Sequence, residues 1–252
     1  MERMKLLDLS QILPIPNLLD AKRVLAFSPH PDDNEVGAGA TLAKLASSGA
    51  EVTWVVASDG SVGTEDDRAE GLAQIRQTEQ EAAARSLGGH AVRWLGFTDT
   101  HLRDDPGALE FAVVAIMREL RPTAVFCPDP WLPYEAHPDH RALGHAVSTA
   151  ILMVNFPLAH PEAGPAVQAP YIAYYGTAWP NTTIDVSETF QAKLDALMMH
   201  KSQFPPPLDQ KIQMYLTLKA MSLGEPLGVA RAEAFKVLTN HHLHFNVDTW
   251  QS

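Results

Sequence analysis

A single cysteine, Cys127, stands in a chain of 252 residues. That excludes an internal disulfide and a thiolate metal site within one chain, so any zinc has to be held by histidine and carboxylate. Long apolar runs are also missing. No stretch approaches the roughly 18 apolar residues that mark a membrane span, and the opening Met1-Glu2-Arg3-Met4-Lys5 lacks the apolar core of a secretory signal. The expectation is a cytoplasmic protein that meets no membrane. Positive charge is scarce: 19 Lys and Arg face 30 Asp and Glu, for a formal net charge of -11. This opposes DNA, RNA and anionic lipid, and suits a neutral or cationic small substrate. Low-complexity segments and internal repeats are absent, and 46% hydrophobic against 19% charged residues argues for a folded chain rather than a disordered one.

What the chain does have is a dense polar turn, Ser28-Pro29-His30-Pro31-Asp32-Asp33-Asn34-Glu35. The apolar run Val24-Leu25-Ala26-Phe27 precedes it, and Val36, Ala40, Leu42, Ala43 and Leu45 follow at helical spacing. The turn therefore joins a buried strand to a helix, which is where ligands bind in open α/β sheets. A turn that had only to be polar would use Gly, Asn and Ser. This one holds an imidazole and three carboxylates stiffened by two prolines, and carboxylates so crowded repel one another unless a cation offsets them.

The rest of the chain continues the alternation. Strands are predicted at 24–28, 52–57, 92–97, 124–127 and 171–175. Helices are predicted over 35–48, 69–87, 107–120 and from His137 to about 155, with a polar loop at 61–68 and a proline-rich surface excursion at 156–170. The pattern is α/β, a Rossmann-like, mostly parallel sheet with helices on both faces. A lead-in segment, 1–20, precedes it. A C-terminal helical extension and tail follow over 187–252, with helices at 188–201, 208–223 and 228–237, all within one domain spanning 1–252.

A second cluster, His137-Pro138-Asp139-His140, follows the fourth strand. Parallel strands bring their C-terminal ends to one edge of a sheet, so the two clusters are expected to converge. His30, Asp33 and His140 then give two histidines and one carboxylate, the complement of a catalytic zinc that keeps a position open for water. Asp32, beside a ligand but pointing elsewhere, is placed to take a proton. Trp131 and Tyr134, in a proline-stiffened loop beside the second cluster, are either core residues or platforms for a sugar face.

These motifs resemble the LmbE/PIG-L superfamily of zinc-dependent N-acetylglucosaminyl de-N-acetylases. The resemblance runs from about Arg23 to Leu238 and takes in Ser58-Asp59-Gly60, Arg76 with Glu79, Gly96-Phe97-Thr98-Asp99 and His200-Lys201-Ser202-Gln203. Ser58 to Thr64 and Asp129 to His137 are most similar to the diacetylchitobiose deacetylase branch. The resemblance implies a zinc hydrolase of amide bonds that releases acetate from an N-acetylglucosamine unit. His30, Asp33 and His140 would hold zinc and Asp32 would be the general base. A protonated His137, oriented by Asp139, would support the oxyanion, and either His137 or Asp32 would protonate the leaving amine. Arg76 and Asp99 fall where related enzymes hold sugar hydroxyls, and His200 is a further substrate-binding candidate. Oligomers, trimers or hexamers, occur among similar enzymes, in which a neighbouring chain could complete the pocket.

Plainer readings stand beside these. The first turn could merely cap a helix, Asp139 could be an N-cap, Arg76 could pair with Glu79, Asp99 could form a turn, and His200 could complement a helix dipole. His241-His242-Leu243-His244 has the composition of a metal motif but no adjoining carboxylate, and reads as a plain tail. Gly37-Ala38-Gly39 suggests a nucleotide-binding turn, yet Leu42 replaces the third glycine and acids crowd the pyrophosphate position. A non-catalytic sugar-binding protein has no need of Asp32. The closer rival is a deacetylase of the same superfamily acting on a thiol-sugar or antibiotic precursor.

Overall fold

The computed structural model describes residues 13–66 and 70–245. Residues 1–12 of the lead-in, 67 and 68 of the polar loop, 69 at the start of the helix predicted over 69–87, and 246–252 of the tail lie outside the described residues. Seven strands form one sheet: β1 (Arg23–Ser28), β2 (Glu51–Ser58), β3 (Ala91–Phe97), β4 (Ala124–Pro128), β5 (Tyr171–Tyr175), β6 (Thr182–Asp185) and β7 (Ala232–Leu238). Their spatial order is β3-β2-β1-β4-β5-β7-β6. The first five run parallel, and β7 lies antiparallel to both β5 and β6. The helices are α1 (Asp33–Ser47), α2 (Leu72–Ser86), α3 (Pro106–Leu120), α4 (Pro138–Met153), α5 (Phe190–Leu197), α6 (Leu208–Gly224) and α7 (Asn240–His244).

The unbroken apolar run of β1 is what a strand covered on both faces needs. Val24 and Ala26 join a core with Leu42 of α1 and Leu194 of α5, while Leu25 and Phe27 join one with Leu109 of α3 and Leu143 of α4. Full burial of each Leu or Phe contributes roughly 1.5–3 kcal/mol. The strand order reverses between β1 and β4, and the crevice outside the C-terminal ends of those two strands receives both polar turns. No helix among the described residues is long and apolar enough to cross a membrane.

The C-terminal region differs from expectation. Residues 228–237, predicted as a helix, form most of β7. Ala232-Glu233-Ala234 has helical composition, but the segment obeys a period of two: Phe235 and Val237 enter the core beneath α1, and Glu233 reaches Lys193 of α5 on the same side. A buried partner turns a glutamate into a strand residue, which local propensity cannot reveal. The edge strand β6 was not predicted. Helix α5 ends at Leu197, before His200, and α2 begins at Leu72, after Gly71 with φ 77. The expected tail at 241–244 is instead the short helix α7. There His242 is buried, bonds Thr239 through Nδ1 and contacts the Leu13 carbonyl through Nε2.

Gly37 and Gly39 lie inside α1, not in the turn before it, where a phosphate-binding turn would need them. A Cβ on Gly37 would sit 2.3 Å from the Tyr175 ring, and one on Gly39 3.2 Å from Lys193. These glycines serve close packing, so the nucleotide-binding reading loses its motif.

Candidate active site

Asp33, the first residue of α1, links the two clusters. Its Oδ2 accepts from the His30 backbone N–H at 3.0 Å and lies 3.2 Å from His30 Nδ1. Its Oδ1 lies 3.4 Å from His140 Nε2. The far nitrogen of each imidazole meets another acid: His30 Nε2 lies 3.1 Å from Asp99 and 3.2 Å from Asp139, and His140 Nδ1 lies 3.1 Å from Glu135. Outer carboxylates of this kind orient metal-binding histidines and fix their tautomers. The rings of His30, His137 and His140 also converge, with candidate ligand atoms all within 4.8 Å of one another. His30, Asp99 and Asp139 form a second such group.

The charge balance tests whether a cation fits. Burial alone would lower the His30 imidazole, but Asp139, Asp33 and Asp99 outweigh it and push it up to about 12. Burial alone would raise Asp33, yet His140 and His30 hold it far below the usual carboxylate range. The cluster thus retains a positive charge wherever it can find one. Nitrogen and oxygen donors with no thiolate match a borderline dication such as zinc.

Asp32 behaves differently from its neighbour. It occupies the N-cap position of α1 with φ 103, and its side chain makes no capping hydrogen bond, which removes the plain capping role. Its backbone N–H donates to Gln80 Oε1 at 2.9 Å. Arg76 lies behind it, with Nη2 3.2 Å from Asp32 Oδ2 and also donating to the Pro31 carbonyl, and with Nη1 donating to the Gly60 carbonyl. Burial, then the Asp33 charge, push the Asp32 carboxyl up to about 7, against the opposing pull of Arg76 and His200. Adjacent carboxyls whose environments drive them apart mark distinct chemical roles.

His137 is the N-cap residue of α4. Its Nδ1 accepts from the Asp139 backbone N–H at 3.3 Å, so a neutral ring carries its proton on Nε2. Asp139 therefore orients His137 through its backbone. Its carboxylate instead accepts from the Thr100 and Leu102 N–H groups and faces His30. Burial, helped by His30 and His140, lowers the His137 pKa, a direction that favours the neutral ring.

Similarity to known proteins decides the family. The GlcNAc-PI de-N-acetylase (PIG-L) family matches residues 25–151. The diacetylchitobiose deacetylase of Thermococcus kodakarensis is 39% identical over 236 residues, 89% of this chain and 86% of that one. The chain belongs to the PIG-L de-N-acetylase family. A probable N-acetyl-alpha-D-glucosaminyl L-malate deacetylase 2 of Bacillus cereus is 31% identical over 193 residues, 72% of this chain and 84% of that one. Among solved structures, N,N'-diacetylchitobiose deacetylase from Pyrococcus horikoshii matches with a TM-score of 0.89 at 35% identity, covering 97% of each chain.

In this PIG-L family member the other predicted residues fall into two groups. Arg76 and Asp99, expected at sugar hydroxyls, are buried and already engaged: Arg76 with Asp32, Pro31 and Gly60, and Asp99 with His30 and the Val62 N–H. Glu79 does not pair with Arg76 but accepts from the N–H and Oγ of Ser202. His200 is fully buried, 3.7 Å from Glu35, and has no open surface from which to touch a substrate. Burial would lower its pKa, but Glu35 outweighs burial and raises it. Trp131 is half-exposed with its ring edge-on to His145 and Tyr174, and Tyr134 is fully exposed with φ 71.

A cavity of about 250 Å³ adjoins the cluster, lined by Asp33, His140, Glu135, Leu132, Tyr175 and Tyr215 among others. Sequence reasoning assigned no role to Glu135 or Gln80. Glu135 carries a signal, a carboxylate five positions before His140 in the same turn. Gln80 carries none, because a glutamine on a helix is ordinary.

Proposed function

We propose that this chain is a zinc hydrolase that removes the acetyl group from an N-acetylglucosamine unit, with N,N'-diacetylchitobiose or a short chitooligosaccharide as substrate. The observation that carries the reading is Asp32: a carboxyl beside the proposed metal ligands, not engaged in capping, pushed up to about 7 by burial and the Asp33 charge. Such a group can accept a proton and return it near neutral pH. The chain's 39% identity to the Thermococcus diacetylchitobiose deacetylase over 89% of its length supports the substrate class.

His30, Asp33 and His140 would hold the metal. Zinc bound there supplies a Lewis acid that polarises the acetamide carbonyl and lowers the pKa of water. Asp32 takes a proton from the attacking water as its oxygen bonds to the carbonyl carbon. The Nε2–H of neutral His137 donates to the carbonyl oxygen as charge builds there. Asp32 then delivers its proton to the nitrogen, the C–N bond breaks, and acetic acid and the free amine result, the acid's remaining proton passing to the amine or to solvent to give acetate. His137, with one ring proton engaged at the oxyanion, is the poorer acid for that step. Arg76, fixed by the Pro31 and Gly60 carbonyls, keeps Asp32 facing inward. Exposed Trp131 and Tyr134 are the candidates to meet the sugar faces. The reading includes a cytoplasmic location, consistent with a lone buried thiol. It also includes association of copies, consistent with the exposed Met214, Leu218 and Met221 along α6.

The test is acetate release by metal-free protein, with and without added zinc, from N,N'-diacetylchitobiose, N-acetylglucosamine and an N-acetylglucosaminyl malate. Zinc-restored release from the first is expected. Release from the malate conjugate alone would transfer the assignment to the thiol-sugar branch, and no release from any of the three would end it.

A further inference from the structure

We infer that Gln80, Glu35 and His200 are positioning residues for Asp32, a buried run of side chains that holds the base in a left-handed backbone conformation. The inference rests on the assignment of Asp32 as base. A non-glycine residue at φ 103 persists only where its surroundings over-determine it. Asp32 donates its N–H to Gln80 Oε1 at 2.9 Å, and Gln80 Nε2 donates to Glu35 Oε1 at 2.9 Å. Trp54 Nε1 donates to that same Glu35 oxygen at 2.8 Å. The second Glu35 oxygen faces His200 Nε2 at 3.7 Å. Gln80, Glu35, His200 and Trp54 are all 0% exposed.

The direction of this run is fixed by donors and acceptors. Glu35 Oε1 receives N–H groups from two sides, so Gln80 must turn its amide nitrogen toward Glu35 and its oxygen toward Asp32. A flipped amide would set oxygen against oxygen and N–H against N–H. Glu35 therefore orients Gln80, and Gln80 pins the Asp32 backbone. His200 is the group facing the remaining Glu35 oxygen, which has no hydrogen bond among the described residues.

The far end of this run differs from a satisfied buried ion pair. Glu35 Oε2 and both ring nitrogens of His200 are buried without hydrogen-bond partners, a costly state that native cores avoid. The buried pair of Lys193 and Glu233 shows that this chain can satisfy such groups: Lys193 also donates to the Val36 carbonyl, and Glu233 also accepts from the Thr41 N–H.

Two sets of variants test the inference, each read as kcat and KM on N,N'-diacetylchitobiose, zinc content, and NMR hydrogen exchange of the Asp32 amide in metal-free protein. Gln80→Leu keeps bulk and removes both hydrogen bonds. It should lower kcat by about tenfold to a hundredfold with KM within about twofold, keep one zinc per chain, and speed Asp32 exchange. His200→Gln should lower kcat at least about tenfold. Adding Glu35→Gln should bring it back to within about threefold, because the new amide oxygen still accepts from Gln80 while the buried charge is gone. Unchanged Asp32 exchange in folded Gln80→Leu would overturn the inference, as would equal losses in His200→Gln and the double variant, or a rise in KM matching the fall in kcat. If Gln80→Leu does not fold, the His200 and Glu35 cycle decides. If wild-type protein turns over none of the acetylated sugars, the functional reading fails, while the exchange measurement still decides the positioning claim.

Discussion

Buried charge grips α1 at two places, and the two grips are built differently. At mid-helix, Lys193 and Glu233 meet at 2.5 Å and bond the backbone of α1 at Val36, Ala40 and Thr41. At the N-terminus, Asp32, Asp33 and Glu35 meet Arg76, His30, His140 and His200 across longer gaps. That end also has a residue at φ 103, and it leaves Glu35 Oε2 and the His200 ring nitrogens buried without hydrogen-bond partners, where at mid-helix it is the uncharged Thr41 hydroxyl that is left so. Charges paired and hydrogen-bonded in this way mark groups retained for the fold. Unresolved charge and backbone strain mark a group retained for chemistry, because a proton acceptor must be left able to accept. If this contrast is right, breaking the N-terminal grip removes activity while largely sparing the fold, and breaking the mid-helix grip does the reverse.

The largest effect is expected from His140→Ala. It removes one of the proposed metal ligands and leaves Asp33 and Glu135 without the imidazole between them. Metal analysis should find far less than one zinc per chain, and acetate release should fall below detection. A variant that keeps its full zinc would exclude His140 as a ligand and shift the ligand set toward His30 and His137, the other members of that imidazole cluster.

Next is Asp32→Asn, which should keep its zinc and lose about 10²–10⁴ in kcat, the range for loss of a general base. The same variant has a signature in stability. In the unfolded chain Asp32 loses its proton near 3.8, and in the fold near 7, so between those values the folded state binds more protons. Wild-type stability therefore falls as pH rises through that window and levels off above it. Metal-free Asp32→Asn should melt like wild type near about pH 4 and at a higher temperature than wild type above about pH 7. Equal melting temperatures at both ends would mean that Asp32 is not destabilised by its setting.

Glu233→Gln tests the other grip. Leaving Lys193 buried without its carboxylate should cost about 3–5 kcal/mol of stability in urea unfolding. At a temperature where the variant stays folded, kcat should remain within about threefold of wild type. A collapse of kcat in folded protein would erase the distinction between the two grips.

The same contrast explains how much was legible in the sequence. Strand-and-helix alternation was visible because buried parallel strands are unbroken apolar runs, and the proposed site because histidines and acids gather after β1 and β4, where the strand order reverses. Glu233 and Lys193 were silent, since nothing local shows that a glutamate in Ala232-Glu233-Ala234 has a lysine waiting 40 positions away; the segment was read as a helix for that reason. His200 was visible as a residue type, but sequence does not separate a histidine open to solvent from one buried against Glu35. Asp139 stands two positions after His137 in the sequence, and only coordinates show that its backbone N–H, not its carboxylate, makes the contact.

The smallest expected effect lies outside both grips. Tyr134 is fully exposed at φ 71 on the loop between β4 and α4, so Tyr134→Ala removes no buried area and should leave the unfolding free energy within about 0.5 kcal/mol of wild type. If the ring meets a sugar face, KM for N,N'-diacetylchitobiose should rise severalfold while kcat holds, the pattern of lost uniform binding. N-acetylglucosamine, with one ring fewer to stack, should show a smaller rise. Equal KM values for both substrates in variant and wild type would assign recognition to Trp131 and the cavity wall instead. A fall in kcat without a change in KM would mean that the loop's left-handed turn, rather than the ring, matters, since Tyr134 lies three residues before His137.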